Sequence, residues 1–199
     1  MRRLASVVVS GLLAAVAVLS AADVLTPQLA EAFEKKMVIV QAHAASEEAT
    51  SPRTTRFTEN ELNSYLRYKV TDQLPTGLSE PTVTLTGKGR VTARAFVDLD
   101  VIRQKQSSGG WFDLKSYLSG KLAVAATGII RTEAGKGRFE FELAEVSGVP
   151  VPKALLQQIV AHYTKSAEQP NGASLDDTFD LPVRIQRIDV EPGRAIVIQ

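Results

Sequence analysis

The residues of this sequence that could do chemistry are two histidines and a few aspartates. His43 and His162 are the only histidines, neither belongs to a His-Glu-x-x-His zinc motif, and the chain has no cysteine that could serve as a ligand instead. His162 could in principle serve a Ser-His-Asp triad, but no Gly-x-Ser-x-Gly nucleophile motif occurs. We therefore interpret His162 as a polar residue beside the apolar side of a helix.

The aspartates form two groups. Asp98 and Asp100 lie two residues apart on a predicted strand, so their carboxylates would point the same way, as in an acid/base pair or a cation site. The favoured alternative is a solvated outer face that they share with Arg94. A loop carries Asp176, Asp177 and Asp180, which lack the Asp-x-Asp-x-Asp-Gly spacing of a calcium loop.

Two glycine-rich segments, Gly87-Lys88-Gly89 and Gly135-Lys136-Gly137, resemble phosphate loops only superficially. No helix begins directly after either one, so both predict hairpin turns. The sequence therefore predicts no catalytic, cofactor-binding or metal-binding residue, and we expect a protein that is not an enzyme. A hydrolase using His162 is the least favoured alternative.

The first 22 residues carry the pattern of an export signal. Arg2 and Arg3 precede nineteen uncharged residues, Leu4 to Ala22, which end in small side chains. Ser20 and Ala22 suit a signal peptidase, but the apolar run approaches the ~20 residues that cross a bilayer. We expect an extracytoplasmic protein of the periplasm or cell envelope, either secreted after cleavage or held in the membrane by this segment.

Composition and charge limit the remaining possibilities. The 199 residues carry a formal charge of +1, which becomes −1 without Arg2 and Arg3, and a near-neutral chain argues against nucleic acid as a partner. An exported chain without cysteine has no disulfide framework, so its stability must come from packing. The length suits a single domain.

Residues 23–56 predict a juxtamembrane helix followed by a linker, and residues 57–199 predict the domain. Thr26-Pro27 has the pattern of a helix start, and apolar residues follow it at near-helical spacing up to Val40. Within the domain, Thr58 and Glu61 predict a capping box at the start of a helix that ends before Pro75. A second amphipathic helix is expected after Pro152.

The central part of the chain predicts long antiparallel strands. Residues 91–101 alternate apolar and polar side chains, which is typical of a sheet with one apolar face. Further strands are expected at 82–86, 122–131, 138–143, 183–190 and 194–198, with a short helix or flap at 111–118. Together these elements predict an α+β fold: a long, curved antiparallel sheet packed against two amphipathic helices, preceded by an apolar export or anchor helix.

Three segments carry a resemblance to a known group of proteins. They are the Thr-Glu-Asn-Glu-Leu-Asn helix opening at 58–63, the Gly-Val-Pro-Val-Pro run at 148–152 and the Leu181-Pro182 pair before the final hairpin. Their order resembles small exported bacterial proteins of the LmeA and YpmS type, which are related to tubular lipid-binding (TULIP-like) domains. The similarity covers about residues 57–199. It implies a curved sheet that cradles a helix and binds a lipid or another amphiphile.

The apolar surfaces are the remaining candidate for function. They could simply form the core, or they could leave a trough between sheet and helices in which an acyl chain fits. Small residues at Ala93, Ala95, Ala123, Ala125 and Ala126 would leave room for it. We predict that the trough is lined by Phe96, Phe139, Phe141, Ile159 and Tyr163. The alternative is a structural protein of the cell envelope that contacts other proteins through its sheet.

Overall fold

The computed structural model describes residues 24–46, 51–105, 119–165 and 170–199. Within them the chain forms two antiparallel sheets and four α-helices, so the predicted α+β class is confirmed. The predicted export segment at residues 1–22 and the predicted flap at 111–118 lie outside the described residues. Among the helices that are described, none combines the length and the apolar character needed to cross a bilayer.

The smaller sheet has three strands in the order β1-β9-β8, and two helices pack on it. Strand β1 spans Thr54–Thr58, β8 spans Arg187–Glu191 and β9 spans Arg194–Ile198. Helix α1 spans Pro27–Ala45 and contacts both β1 and helix α2, which spans Glu59–Tyr68. This part of the molecule is called the base below.

The larger sheet has six strands, with four long ones in the order β2-β3-β4-β5. These four span Leu78–Gly87 (β2), Arg90–Asp98 (β3), Lys121–Glu133 (β4) and Lys136–Val146 (β5). Two short strands, β6 at Val149–Pro150 and β7 at Thr178–Asp180, pair with the outer edge of β5. Helix α3 spans Leu99–Lys105, and α4 spans Lys153–Tyr163.

The large sheet has two distinct ends. The turns between β2 and β3 and between β4 and β5 both lie at one end, because the strands alternate in direction. Gly87-Lys88-Gly89 forms the first turn and Ala134-Gly135 the second, with positive φ at Lys88 and Ala134. The two hairpin-turn predictions are thus confirmed. We call this end the hairpin end, and we call the opposite end, where Leu78, Asp98, Lys121 and Val146 lie, the open end.

The two helix starts with predicted capping residues are confirmed. The Thr26 hydroxyl accepts a hydrogen bond from the Leu29 amide at 3.2 Å, and Pro27 occupies the first turn of α1. At α2 the capping box is complete: the Thr58 hydroxyl accepts from the Glu61 amide, and the Glu61 carboxylate accepts from the Thr58 amide. The Glu61 carboxylate also lies 2.6 Å from Lys36 Nζ, which joins α1 to α2.

The Glu61 carboxylate predicts a pH-dependent stability. Burial raises the pKa of Glu61, but hydrogen bonds from Lys36 and the Thr58 amide, with the Lys36 charge, outweigh burial and lower the pKa below its usual 4.5. The carboxylate therefore stabilises the fold above pH 4.5, and this contribution is lost as the pH falls through the lowered pKa. We expect Glu61→Gln to cost about 1–2 kcal/mol at pH 7 and progressively less in acid.

Urea unfolding at a series of pH values measures this effect. Glu133→Gln, at an exposed position at the end of β4, is the matched control and should follow the wild type at every pH. A Glu61→Gln variant whose deficit is the same at pH 3 as at pH 7 would exclude the proposed role of the charge.

The outer edge of β2 is covered by side chains of α2 rather than by another strand. The Asn63 side chain accepts from the Val83 amide at 2.7 Å and donates to the Val83 carbonyl at 2.8 Å. One turn earlier, the Glu59 carboxylate accepts from the Leu85 amide at 2.6 Å. Helix α2 thus satisfies backbone groups that an edge strand would otherwise expose to another chain. The same contacts show that α2 runs antiparallel to β2.

The tightly packed core lies in the base. Its buried members are Val40 from α1, Phe57 from β1, Val197 from β9 and Ile185, which precedes β8. Phe33 packs on both Phe57 and Tyr65, with ring centroids 5.0 and 4.7 Å away. The predicted 23–56 segment therefore contributes α1 to the same core as residues of the predicted 57–199 domain, and β1 begins three residues before Phe57.

The two sheets meet at the hairpin end. The Thr132 hydroxyl on β4 donates to the Ile188 carbonyl at 2.9 Å and accepts from the Ile188 amide at 2.8 Å. The Gly89 amide donates to the Val190 carbonyl, and Leu85 and Val190 are both buried there. Strand β8 therefore closes the hairpin end of the large sheet.

Three predicted boundaries were wrong. Leu99 and Val101 were predicted in the strand at 91–101, but β3 ends at Asp98. The Asp98 carboxylate accepts from the amides of Asp100 and Val101 and so starts α3. The first domain helix ends at Tyr68, and Leu74 lies beyond it, after a short 3-10 turn. The strand predicted from residue 183 begins only at Arg187, since Val183 has a positive φ that no extended strand allows.

Candidate functional site

The pairing register gives the four long strands one predominantly apolar face. Residues directly opposite each other in an antiparallel pair point to the same side of the sheet. Ala93 is paired with both Val83 and Ala126, and Ala126 is paired with Ala144. Extending this register defines the apolar face: Leu78, Val83, Leu85, Val91, Ala93, Ala95, Val97, Leu122, Val124, Ala126, Gly128, Ile130, Phe139, Phe141, Ala144 and Val146.

Most of the apolar face is only half-buried. Leu85 is buried where β8 covers the hairpin end, and Ala144 is buried on β5. Most of the other side chains are intermediate in exposure, and Ala93, in the middle of β3, is exposed. The side chains of this face therefore lack the close packing seen around Phe57 in the base.

A row of small side chains crosses the middle of the apolar face. Ala93, Ala126 and Ala144 lie side by side on three neighbouring strands. Larger side chains flank most of the row: Val91 and Phe141 toward the hairpin end, and Val124 and Val146 toward the open end. The remaining flanking residues are small, namely Gly128 on β4 and Ala95 on β3. The row, which we call the alanine row, is thus a line of small side chains across three strands, bounded in part by walls of larger apolar side chains.

A bulge on β5 shapes the wall on the hairpin side. The register shifts between Thr127 and Gly128 on β4, so an extra residue is accommodated on β5. A Cβ on Gly128 would lie only 2.3 Å from the Phe139 ring and 2.7 Å from the Glu140 carbonyl oxygen, so the Phe139 ring lies against the Gly128 backbone. Bulges bend strands and increase their twist, and this one lies next to the alanine row.

The opposite face of the sheet carries the charges. Arg90 pairs with Glu142 at 2.8 Å, and Glu140 pairs with both Arg131 and Arg138. The two arginines hold the pKa of Glu140 below its usual value through hydrogen bonds and charge. Because these side chains are ion-paired and face water, this charged face corresponds to the solvated face that the alternation predicted.

The five predicted trough residues do not all lie on one face of the sheet. Phe139 and Phe141 both lie on the apolar face. Phe96 lies on the charged face, because it is paired with Ala123 and the Lys121 ammonium lies over its ring at 4.5 Å. The backbones of Ile159 and Tyr163 lie in α4, but their side chains are outside the described residues. The structure therefore does not bring Phe96 together with Phe139 and Phe141.

The alanines noted in the sequence divide in the same way. Ala93, Ala95 and Ala126 lie on the apolar face, whereas Ala123 and Ala125 lie on the charged face opposite Phe96 and Arg94. Sequence reasoning missed Ala144, because the bulge shifts the β5 alternation at that point.

The aspartates that the sequence offered as candidates for chemistry form caps, hydrogen bonds and ion pairs that stabilise the fold. Asp98 caps α3, and Asp100 lies in the first turn of α3, where its carboxylate accepts from the Gly120 amide at 2.9 Å. The two aspartates therefore do not share a strand face, contrary to the expectation. In the aspartate loop, Asp176 pairs with Lys153, and Asp180 pairs with Lys136. His43 lies in the last turn of α1, and the side chain of His162 lies outside the described residues.

No cluster of metal-binding side chains occurs in the part of the chain that the structure describes. The third aspartate of the loop, Asp177, accepts from the Ser174 amide at 2.8 Å and so stabilises the loop itself. The three loop aspartates thus have separate partners and do not converge on one point.

Comparison with known proteins gives little further information. No protein-family model matches the chain, and no curated protein matches it. Among solved structures, the chain is similar to a lipopolysaccharide binding protein with a TM-score of 0.21 and 11% sequence identity. The similarity covers 73% of this chain and 40% of that one. A likeness at this level carries no inference about what this chain binds.

Proposed function

We propose that this chain is an exported, non-enzymatic protein that binds a lipid or another amphiphile on the apolar face of its large sheet. The ligand's acyl chain would lie in the alanine row, and its polar group would reach water. The observation that carries the proposal is the contrast between the packed core around Phe57 and the half-buried face around Ala93 and Ala126.

The dimensions of the face suit an acyl chain. Neighbouring strands lie about 4.8 Å apart, so a row that crosses three strands is roughly 10–15 Å long. Each methylene that leaves water contributes about 0.8 kcal/mol, so eight buried methylenes would contribute about 6 kcal/mol before the cost of ordering the chain. Such a site needs shape and apolar area and does not need a diagnostic polar residue.

We propose a protein without catalytic activity because the aspartates considered for chemistry are already engaged in structural contacts. Asp98 and Asp100 both accept hydrogen bonds from backbone amides, and Asp176 and Asp180 are in ion pairs on the surface. A group that holds a backbone amide in place is poorly suited to exchange protons with a substrate. Export to the periplasm or cell envelope is part of the same proposal and is supported by the pattern of residues 1–22.

A matched pair of substitutions tests the site. Ala126→Phe places a ring in the alanine row, whereas Ala125→Phe places the same ring on the charged face. We expect Ala126→Phe to weaken the binding of a fluorescent fatty acid at least tenfold, which corresponds to about 1.4 kcal/mol or roughly two methylenes. Ala125→Phe should bind like the wild type.

Fluorescence titration of the full-length chain and both variants measures these affinities, with circular dichroism to confirm that each variant is folded. If the two variants bind equally, or if the wild type takes up no fatty acid, the proposed site is wrong.

An envelope scaffold is the alternative function, and the edge of β5 favours it. Strand β7 pairs with residues 136–138 of β5, and β6 pairs with residues 145–146. Among the described strands, none pairs with the outer edge between them at residues 139–143. Such an edge can recruit an extended segment of another protein. Capture of one protein at fixed stoichiometry, with no lipid present, would support the scaffold instead.

A further inference from the structure

We propose that the open end of the large sheet docks on a lipid bilayer by inserting apolar side chains. This inference rests on the proposed function, because a lipid could pass from the bilayer to the apolar face at this end without crossing water. The occupant is the bilayer interface, recognised through apolar contact.

Several exposed large apolar side chains lie around this end. Four of the nine found among the described residues surround it, and we call these four the apolar rim: Val24, Tyr68, Val101 and Val149, with exposed fractions of 65%, 42%, 37% and 66%. Exposed apolar groups grouped around one end of a protein are typical of a membrane or protein contact.

Backbone contacts place two rim residues at the open end of β3 and β5. Val101 lies in α3, which follows directly from the end of β3, and its neighbour Ile102 lies over Gly77, just before β2. Val149 pairs with Val146 at the end of β5.

The other two rim residues lie on the β2 side. Helix α2 runs antiparallel to β2, so its last residue, Tyr68, points toward the start of β2 at the open end. The Tyr68 hydroxyl donates to the Leu25 carbonyl at 3.2 Å, which places Val24 beside it. The rim therefore extends from the β2 side of the sheet to the β6 side.

The position of Val24 also indicates what this end faces. The predicted export or anchor segment, residues 4–22, joins the folded body through Val24. A membrane that holds this segment would lie next to the open end, and the base would point away from it. The rim is also continuous with the apolar face, since Val149 of the rim pairs with Val146 of the apolar face.

Two ammonium groups near this end are paired within the protein, which favours apolar insertion over attraction to anionic lipids. Lys121 pairs with Glu80 at 2.5 Å. On the β2 side, Lys69 pairs with Glu34, and this bond and charge raise the pKa of Lys69. Because these ammonium groups are neutralised within the protein, docking should change little with salt or with anionic lipid content.

A site-specific fluorescent label tests the inference on the full-length chain. The natural chain has no cysteine, so Val149→Cys can be labelled uniquely with a polarity-sensitive nitrobenzoxadiazole dye. Val38→Cys is the matched control: it is also an exposed valine, 62% accessible, but it lies on α1 between Lys36, which contacts Glu61, and Val40, which contacts Gln199 in the base.

In phosphatidylcholine vesicles we expect the label at position 149 to shift to the blue, to gain intensity several-fold and to be quenched by brominated lipid. The label at position 38 should remain quenchable by aqueous iodide. A water-exposed label at position 149, or equal lipid exposure at both positions, overturns membrane docking.

Fatty acid uptake separates the two proposals. Uptake that is sensitive to Ala126→Phe, together with a water-exposed label at position 149, overturns docking alone. A lipid-exposed label at position 149 with no fatty acid uptake leaves docking in place and overturns the proposed binding function.

Discussion

Phe57→Ala is expected to lower the free energy of unfolding by about 3–5 kcal/mol, the usual cost of removing a buried phenylalanine ring. Phe57 is 5% exposed and contacts Phe33, and its neighbours in the core include Val40 and Val197. These contacts join α1, β1 and β9, so the cavity would weaken the connections between all three elements.

Phe141→Ala is the matched comparison, because it removes the same ring from the half-buried apolar face. Phe141→Ala should lower the free energy of unfolding by less than half as much as Phe57→Ala does. It should weaken fatty acid binding more than Phe57→Ala does. Urea unfolding of both variants, paired with fatty acid titration, measures the two effects. Equal losses of stability would mean that the apolar face is packed as tightly as the base, which contradicts the account.

Asn63→Leu is expected to cost about 2–4 kcal/mol, since it leaves two backbone groups of Val83 without their partners at about 1–3 kcal/mol each. Asn63 is buried and uses both ends of its amide on this one residue. Leucine has a similar size and can remain in the helix, so the loss would report the hydrogen bonds rather than a cavity.

Asn60→Leu, the same substitution one turn earlier on α2, is the control. Hydrogen exchange followed by NMR gives the more specific reading: the Val83 amide should exchange faster in Asn63→Leu than in the wild type or in Asn60→Leu. Unchanged protection of the Val83 amide would show that Asn63 does not seal the edge of β2.

The local features of this fold could be predicted from the sequence, because their partners lie close together along the chain. Thr58 and Glu61 are three residues apart, and the capping box follows from that spacing. The hairpin turns at Gly87 and Gly135 are equally local. Strand alternation also predicted the apolar and charged faces. Because Ala95 lies on the apolar face, the same alternation places its neighbour Phe96 on the charged face, so the prediction of Phe96 in the trough did not follow the pattern.

The non-local features could not be predicted. Strand β1 pairs with β9, with Thr54 opposite Ile198, and nothing near either strand indicates its partner. The role of Asn63 depends on Val83, which lies on another element. At residues 99–101 two local signals compete: Leu99 and Val101 continue the strand alternation, but Asp98 followed by Asp100 is also a helix start, and the helix forms.

Native mass spectrometry of the full-length chain, isolated from its own cell envelope, tests the central claim most directly. The account predicts that part of the protein carries an added mass equal to a lipid or fatty acid, and that Ala126→Phe removes this species while Ala125→Phe keeps it. A chain found only at its own mass, in wild type and variants alike and with no uptake of added fatty acid, would contradict the claim that the apolar face holds an amphiphile.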